Sequence, residues 1–342
     1  MDTMLDYLYQ ERELLTGLLD GYRHPAHPAF RRLFIVGCGS SFNSGKMAEP
    51  FLTDYGLSVS VYHPVEFLST QHHLQKDDLA IFISQVGNSA LVVKAQRAAK
   101  GKCITVGLTG NDDGLIAREA DAHINIGCGE ENWNSKTKGV SCTVLSLLLF
   151  GLHAARMQGY IDQERLAAEL AEIRGIVSHL RRYTEELEAQ MERFTDLVEA
   201  HNMLWVTATA HHYAVAREFA MKVTECAYIK AAHKELEEFL HGFEMGVDGN
   251  DVFLIYALDG ASRDFGEGLR RFLLGNRLTD RICVVSNRDG GDIRCSAPDS
   301  RFNIFVGLAF LQLASYRLSL KFGIDARHVR YRNINEFVKT KL

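Results

Sequence analysis

Short, nearly unbroken apolar runs alternate along this chain with stretches in which apolar residues recur every three or four positions. RLFIV (32–36), the run over 57–62 and LAIFIS (79–84) have strand length. A strand buried on both faces needs no polar alternation, so these runs predict a parallel sheet covered by helices on both sides. Helical spacing follows the first and third of them, over 42–55 and 90–100, and the α/β alternation continues to about residue 156. Residues 1–21 predict an amphipathic helix, with Leu5, Leu8, Leu15, Leu18 and Leu19 available for one face. From Asp162 to His201 the pattern turns long, charged and helical, which reads as a linking helix or helical pair. A second alternating set starts at MLWVTA (203–208), continues through DVFLIYAL (251–258) and RICVVS (281–286), and closes with an apolar helix over 305–322. Between them, Glu218 to Gly242 predicts one helix and the loop after it. The boundaries that follow are an N-terminal helix at 1–29, a first α/β domain at 30–158, a helical linker at 159–201, a second α/β domain at 202–325 and a tail at 326–342. Two halves of like pattern imply an internal duplication.

The first strand breaks at Gly37-Cys38-Gly39-Ser40-Ser41 and the strand at 79–84 at Gln85-Val86-Gly87-Asn88-Ser89. Each break places hydroxyls and unbonded backbone N–H groups at a helix N-terminus, which suits an anion. Ser40, Ser41, Ser84, Gln85 and Ser89 are therefore candidate phosphate ligands; the same residue types also serve any tight βα turn. A dinucleotide site fits poorly. Phe42 stands where the third glycine of G-x-G-x-x-G belongs, and the second strand ends in Tyr62-His63 with no carboxylate for a ribose. No P-loop motif occurs.

With 342 residues the chain has room for two ordinary domains, and a formal charge of −5 with no basic stripe makes nucleic acid an improbable partner. Seven cysteines without a C-x-x-C pair read as reduced, buried thiols of a cytoplasmic protein, and not as a metal site or disulfide frame. The acidic, amphipathic start is no signal peptide, and the most apolar segment, 144–155, is shorter than a membrane span.

Three motifs in order, Cys38-Gly39-Ser40-Ser41-Phe42-Asn43-Ser44-Gly45, Ser84-Gln85-Val86-Gly87-Asn88-Ser89 and Ser135-Lys136-Thr137-Lys138-Gly139, resemble those of sugar isomerase (SIS) domains. In the second half, Ala216-Arg217-Glu218 through Lys222 and Glu225, then Glu238-Phe239-Leu240-His241-Gly242, are similar to the A-x-E-x-x-x-K-x-x-E and E-x-x-H-G patterns of the isomerase half of glutamine:fructose-6-phosphate amidotransferase and of fructoselysine-6-phosphate deglycases. The resemblance covers about residues 30 to 335. It implies two tandem SIS-type domains, each a flavodoxin-like parallel sheet with helices on both faces, that together form a phosphosugar enzyme without metal or organic cofactor.

Moving a proton between C1 and C2 of a sugar needs a base whose pKa lies near the working pH. Glu218, Lys222 and Glu225 share one face of a helix by spacing. On an arbitrary helix they would be a surface ion-pair stripe, but the resemblance makes Glu225 the base and lets Lys222 stabilise charge on the C1 or C2 oxygen. It makes His241 the ring-opening group, supplied to a neighbouring subunit, and so implies a homodimer or dimer of dimers with shared sites. Asn134, just ahead of the third motif, joins the phosphate and sugar set. Glu238 and Glu131 are next in line as bases.

The departures narrow the activity. Val86 replaces a serine and Asn88 an acidic residue of the second motif, Thr207-Ala208-Thr209-Ala210 replaces a glycine-rich start, and Phe243 stands where proline follows His-Gly. Asp259 occupies the turn matching Gln85 and would repel phosphate, so the halves are expected to differ, the first holding phosphate and the second supplying chemistry. The tail, Arg327 to Asn333, lacks the lysine that forms a Schiff base in the amidotransferase, and only about 30 residues precede the first strand, leaving no glutaminase domain. Deglycation of a 6-phosphorylated ketosamine leads. Aldose/ketose phosphate isomerisation, amino-sugar phosphate deamination and non-catalytic sugar-phosphate sensing stand as alternatives.

Overall fold

The computed structural model of the chain describes residues 3–70, 73–331 and 333–340. It divides into two compact units: a first-sheet unit of Glu13–Glu131, Lys138–Ala171 and Val329–Leu342, and a second-sheet unit of Met1–Arg12, Asn132–Thr137 and Glu172–His328. The division falls within helix α1 (Met4–Gly21) and helix α7 (Gln163–Ser178).

In the first-sheet unit, β1 (Leu33–Val36), β2 (Val59–Tyr62), β3 (Leu79–Ile83), β4 (Ile104–Thr109) and β5 (Ala122–Asn125) form a parallel sheet in the order β2-β1-β3-β4-β5. The helices α2 (Ser40–Asp54), α3 (Pro64–Thr70), α4 (Ala90–Ala99), α5 (Leu115–Glu119) and α6 (Lys138–Met157) accompany it, with α14 (Ile334–Phe337) near the end of the chain. β1 and β3 are buried at every position, as unbroken apolar runs require, while β2, at an edge, is half-buried. Phe34 and Phe82 pack with Val92 and Val93 of α4 in one apolar cluster.

The second-sheet unit repeats the design. Strands β6 (Met203–Ala208), β7 (Lys230–Glu235), β8 (Val252–Ala257), β9 (Ile282–Ser286) and β10 (Ile293–Arg294) run parallel in the order β10-β9-β8-β6-β7. Counted from the first strand of each sheet, both orders are 2-1-3-4-5, the flavodoxin-like arrangement. Its helices are α8 (Leu180–Glu188), α9 (Glu192–Thr195), α10 (Tyr213–Ala227), α11 (Leu236–Phe239), α12 (Gly260–Gly275) and α13 (Ile304–Lys321). Helix α10 packs against α13, whose buried positions run almost its whole length.

Three expectations need correction. The stretch from Glu218 to Gly242 is not one helix and a loop: Tyr228, in the left-handed region at φ 55°, ends α10, and β7 and α11 intervene before His241. KAAHKE escapes a hydrophobicity pattern because an edge strand half-exposed at most positions holds its place by backbone pairing with β6. Two helices, Lys138–Met157 and Arg301–Lys321, are long and apolar enough to cross a membrane by length and composition, although 83% of each apolar window is buried within the fold. Their apolarity serves the cores. The charged stretch at 159–201 is helical, but α8 packs on α13 and buries Leu180, Tyr183 and Leu187. Helices α8 and α9, with α7 from Glu172 onward, are part of the second-sheet unit.

Candidate active site

In a 2-1-3-4-5 sheet the chain leaves in opposite directions after its first and third strands, and ligands gather at the carboxyl ends of those two strands. In the first-sheet unit β1 and β3 pair directly, Val36 opposite Phe82, so their following turns emerge side by side. Those turns are the two serine-rich ones. Ser40 and Ser41 open α2, which no side chain caps, and both are half-buried. Ser84 organises the other turn. Its Oγ lies 2.9 Å from Ser89 Oγ and accepts from the N–H groups of Gly87 at 3.2 Å and Ser89 at 3.4 Å. Gly87 is required there: its φ is +83°, and a Cβ would fall 2.6 Å from Gly114 Cα.

Gln85 turns inward from the same loop. Its side-chain amide donates to Glu131 Oε2 at 3.1 Å, and that oxygen also accepts from Gly139 N–H, at 3.3 Å, at the start of α6. A Cβ on Gly139 would lie 2.2 Å from the Gln85 amide nitrogen, so the glycine leaves room for this bond. Glu131 is thereby committed to holding the turn. Val86 points outward, 51% exposed, and Asn88 Oδ1 accepts from Leu115 N–H at 3.1 Å.

The chemistry-bearing group of the second-sheet unit sits on α10. Val215, Phe219, Val223 and Cys226 bury one stripe, and Glu218, Lys222 and Glu225 follow the adjoining line at i, i+4, i+7. Burial rules out a surface stripe. Glu218 is 0% and Lys222 1% exposed, and the ammonium lies 3.5 Å from Glu218 and 3.1 Å from Glu225. Burial alone would lower the lysine pKa, but the charges of Glu225 and Glu218 outweigh it and hold the value above the ordinary one. The two carboxylates thus favour the charged form of Lys222. Glu225, with its side chain 38% exposed, is the accessible carboxylate of the three, and its Oε2 also accepts from Ser135 Oγ at 3.0 Å. Ser135 lay inside a recognised motif, but the sequence offered no reason to join it to a residue ninety positions away.

The remaining expected residues are more scattered. Asn134 is exposed beside the buried Ser135. His241 is exposed in the turn after α11 and makes no hydrogen bond or ion pair with Glu225 or Lys222. Phe243 anchors that turn, with the Lys234 ammonium 3.4 Å from its ring centre and Trp205 at 6.5 Å. Glu238 is exposed on α11.

Asp259 has an unexpected partner. At the carboxyl end of β8 it meets the fully buried His212, Nδ1 to Oδ2 at 2.7 Å, and caps α12 by accepting from Ser262 N–H at 2.8 Å. Burial would raise the Asp259 pKa, but the His212 hydrogen bond and charge bring it down to about 2. The matching turn of the first sheet carries Ser84 and Ser89 around Gln85; this one carries a paired carboxylate.

Comparison with known proteins agrees with this architecture. Residues 30–153 match the family described as the SIS domain. The glutamine–fructose-6-phosphate aminotransferase (isomerizing) 2 of Homo sapiens is 30% identical over 217 residues, covering 62% of this chain and 31% of that protein. The chain spans less than half the length of such curated relatives. Among solved structures, a candidate phosphosugar isomerase from Clostridium difficile 630 superposes with a TM-score of 0.89 at 22% identity, covering 100% of this chain and 99% of that one. A glucosamine-6-phosphate deaminase from Thermotoga maritima gives 0.78 at 19% identity, covering 96% and 97%. These two likenesses establish the fold. Over residues 30–153, then, the chain is similar to the SIS domain.

Proposed function

We propose that this protein is an enzyme that moves protons between C1 and C2 of a phosphorylated sugar, and that its substrate is a 6-phosphorylated ketosamine which it deglycates. The observation that carries this reading is Glu225: a partly exposed carboxylate held by the buried Lys222 ammonium at 3.1 Å and by Ser135 at 3.0 Å. A carboxylate so oriented can take a proton from C1 of the open-chain ketosamine. Returning it to C2 of the enolamine gives the C1 imine, which water then splits into an amine and an aldose 6-phosphate. Lys222, in this reading, offsets the charge that develops on the C2 oxygen.

The phosphate is assigned to Ser40, Ser41, Ser84 and Ser89, with Gln85 and Asn134 serving the sugar. Two helix starts and their hydroxyls favour a dianion over a neutral hydroxymethyl group. His241, exposed and unattached to Glu225, is assigned to a neighbouring protomer's site in a homodimer, where it opens the sugar ring. A glucosamine-6-phosphate deaminase and a glutamine–fructose-6-phosphate aminotransferase are among the similar proteins, and they support a phosphosugar substrate in general. The absence of a lysine between Arg327 and Asn333 favours deglycation over ammonia transfer in this reading.

The test is a substrate panel. Incubation with 6-phosphorylated fructosamines, hexosamine 6-phosphates and aldose 6-phosphates, each beside its unphosphorylated counterpart, is followed by assay of released amine and of sugar phosphate. Release of amine from the phosphorylated fructosamines alone is the expected result. Turnover confined to an aldose/ketose pair, or equal turnover without phosphate, would replace this reading.

A further inference from the structure

The second-sheet unit contains a cavity of about 370 Å³ that the chemistry above does not use. Its walls include Trp133, Tyr316, Leu320 and Ile324, with Asp325 and Arg327 also lining it. Trp133 is buried, and its ring meets Tyr316 edge-on with centroids 6.0 Å apart. The size falls in the range of small-molecule pockets, roughly 300–1,000 Å³. The lining is aromatic and aliphatic in part and carries both signs of charge: Arg327 donates to Asp325 through Nε to Oδ1 at 2.8 Å and Nη2 to Oδ2 at 2.6 Å, and both side chains are nearly half exposed.

This wall is tied to the proposed base. Trp133 belongs to an apolar cluster with Met4, Tyr7, Ala326 and Cys226, the residue next to Glu225. It also lies two residues before Ser135, whose hydroxyl donates to Glu225, and its carbonyl accepts from the Lys136 ammonium at 2.8 Å. Displacing the indole would pull on the segment that holds Ser135.

We propose that this cavity binds a small zwitterion, an ammonium and a carboxylate on one carbon bearing an aliphatic side chain, and that its occupancy alters the Ser135–Glu225 contact. The side chain lies on Trp133 and Tyr316, the carboxylate goes to Arg327 and the ammonium to Asp325. A guanidinium with five donors and a carboxylate with several acceptor sites can each take a further partner of opposite sign. A ligand with one charge would leave the other half of the pair opposing it. The proposal goes beyond the deglycase reading and rests on it only for the importance of Glu225.

The chain has two tryptophans, so Trp205→Phe makes Trp133 the only indole. Titrating that variant with L-leucine should change its emission saturably, with half-saturation at about 1 mM or below. The one-charge analogues 4-methylpentanoate and 3-methylbutylamine should bind at least about tenfold more weakly. Arg327→Met and Asp325→Asn, each melting at the parent temperature, should lose the leucine response. Coupling is read from the δ-carboxyl 13C resonance of Glu225, identified by its loss in Glu225→Gln, which should move as leucine saturates. Absence of a saturable change with leucine, or equal binding of either one-charge analogue, overturns the site. Saturation with an unmoved Glu225 resonance overturns the coupling. None of these readouts uses a sugar phosphate, so failure of the substrate panel and failure of this proposal are separate results.

Discussion

Lys222 is the residue whose surroundings say most about the second-sheet unit. A buried ammonium and the buried carboxylate beside it, Lys222 and Glu218, are tolerable only together, because removing one leaves the other charge in a medium that solvates it poorly. Lys222→Met should therefore destabilise the protein by about 3–5 kcal/mol in urea unfolding, chiefly through the orphaned Glu218. Adding Glu218→Gln should recover much of that loss. If Lys222→Met alone unfolds at the parent denaturant concentration, the triad is not the electrostatic unit described. The spacing of Glu218, Lys222 and Glu225 was legible from the chain, since i, i+4 and i+7 share a helix face whatever surrounds it. The burial of Glu218 and Lys222 was not, because it depends on segments distant in sequence that pack on α10, α13 among them.

Among the elements, legibility followed burial. Strands β1, β3, β8 and β9 announced themselves as unbroken apolar runs because both faces are covered. β7 and the two-residue β10, at sheet edges, carry no such signal. The serine turns could be read from local chemistry alone, whereas the Gln85–Glu131–Gly139 bonds and the His212–Asp259 pair join residues that only the completed sheets bring close. A further cluster of this kind packs His24 against His27, His153 and Phe150, with His24 and His27 bonded through their Nε2 atoms at 2.8 Å. Burial first, then the charges of His27 and His153, lowers the His24 pKa to about 4. A group whose folded pKa lies below its unfolded value near 6.5 contributes stability at higher pH and loses it on protonation. The melting temperature should thus fall as pH drops from about 6.5 to about 4, and His24→Leu should flatten that slope. An unchanged slope would place the acid sensitivity elsewhere.

At the scale of the molecule, two sheets of one topology carry different chemistry at equivalent strand ends: hydroxyls and helix starts in one, a buried histidine paired with a carboxylate in the other. The proposed homodimer makes its own prediction. Mixing Glu225→Gln and His241→Ala protomers should restore part of the activity each lacks, because exchange regenerates sites with both groups intact. Demonstrated subunit exchange without recovery would confine each site to a single chain.

The most direct test of the account is whether Glu225 moves the proton. A base that exchanges its proton with water should place deuterium at C1 or C2 of sugar phosphate recovered from D2O, measured by NMR or mass. The parent enzyme should incorporate it, and Glu225→Gln, which keeps shape and hydrogen bonding, should slow incorporation by roughly 10²–10⁴-fold while binding substrate nearly as well. Incorporation by Glu225→Gln at the parent rate would contradict the account and leave Glu225 a structural partner of Lys222 and Ser135.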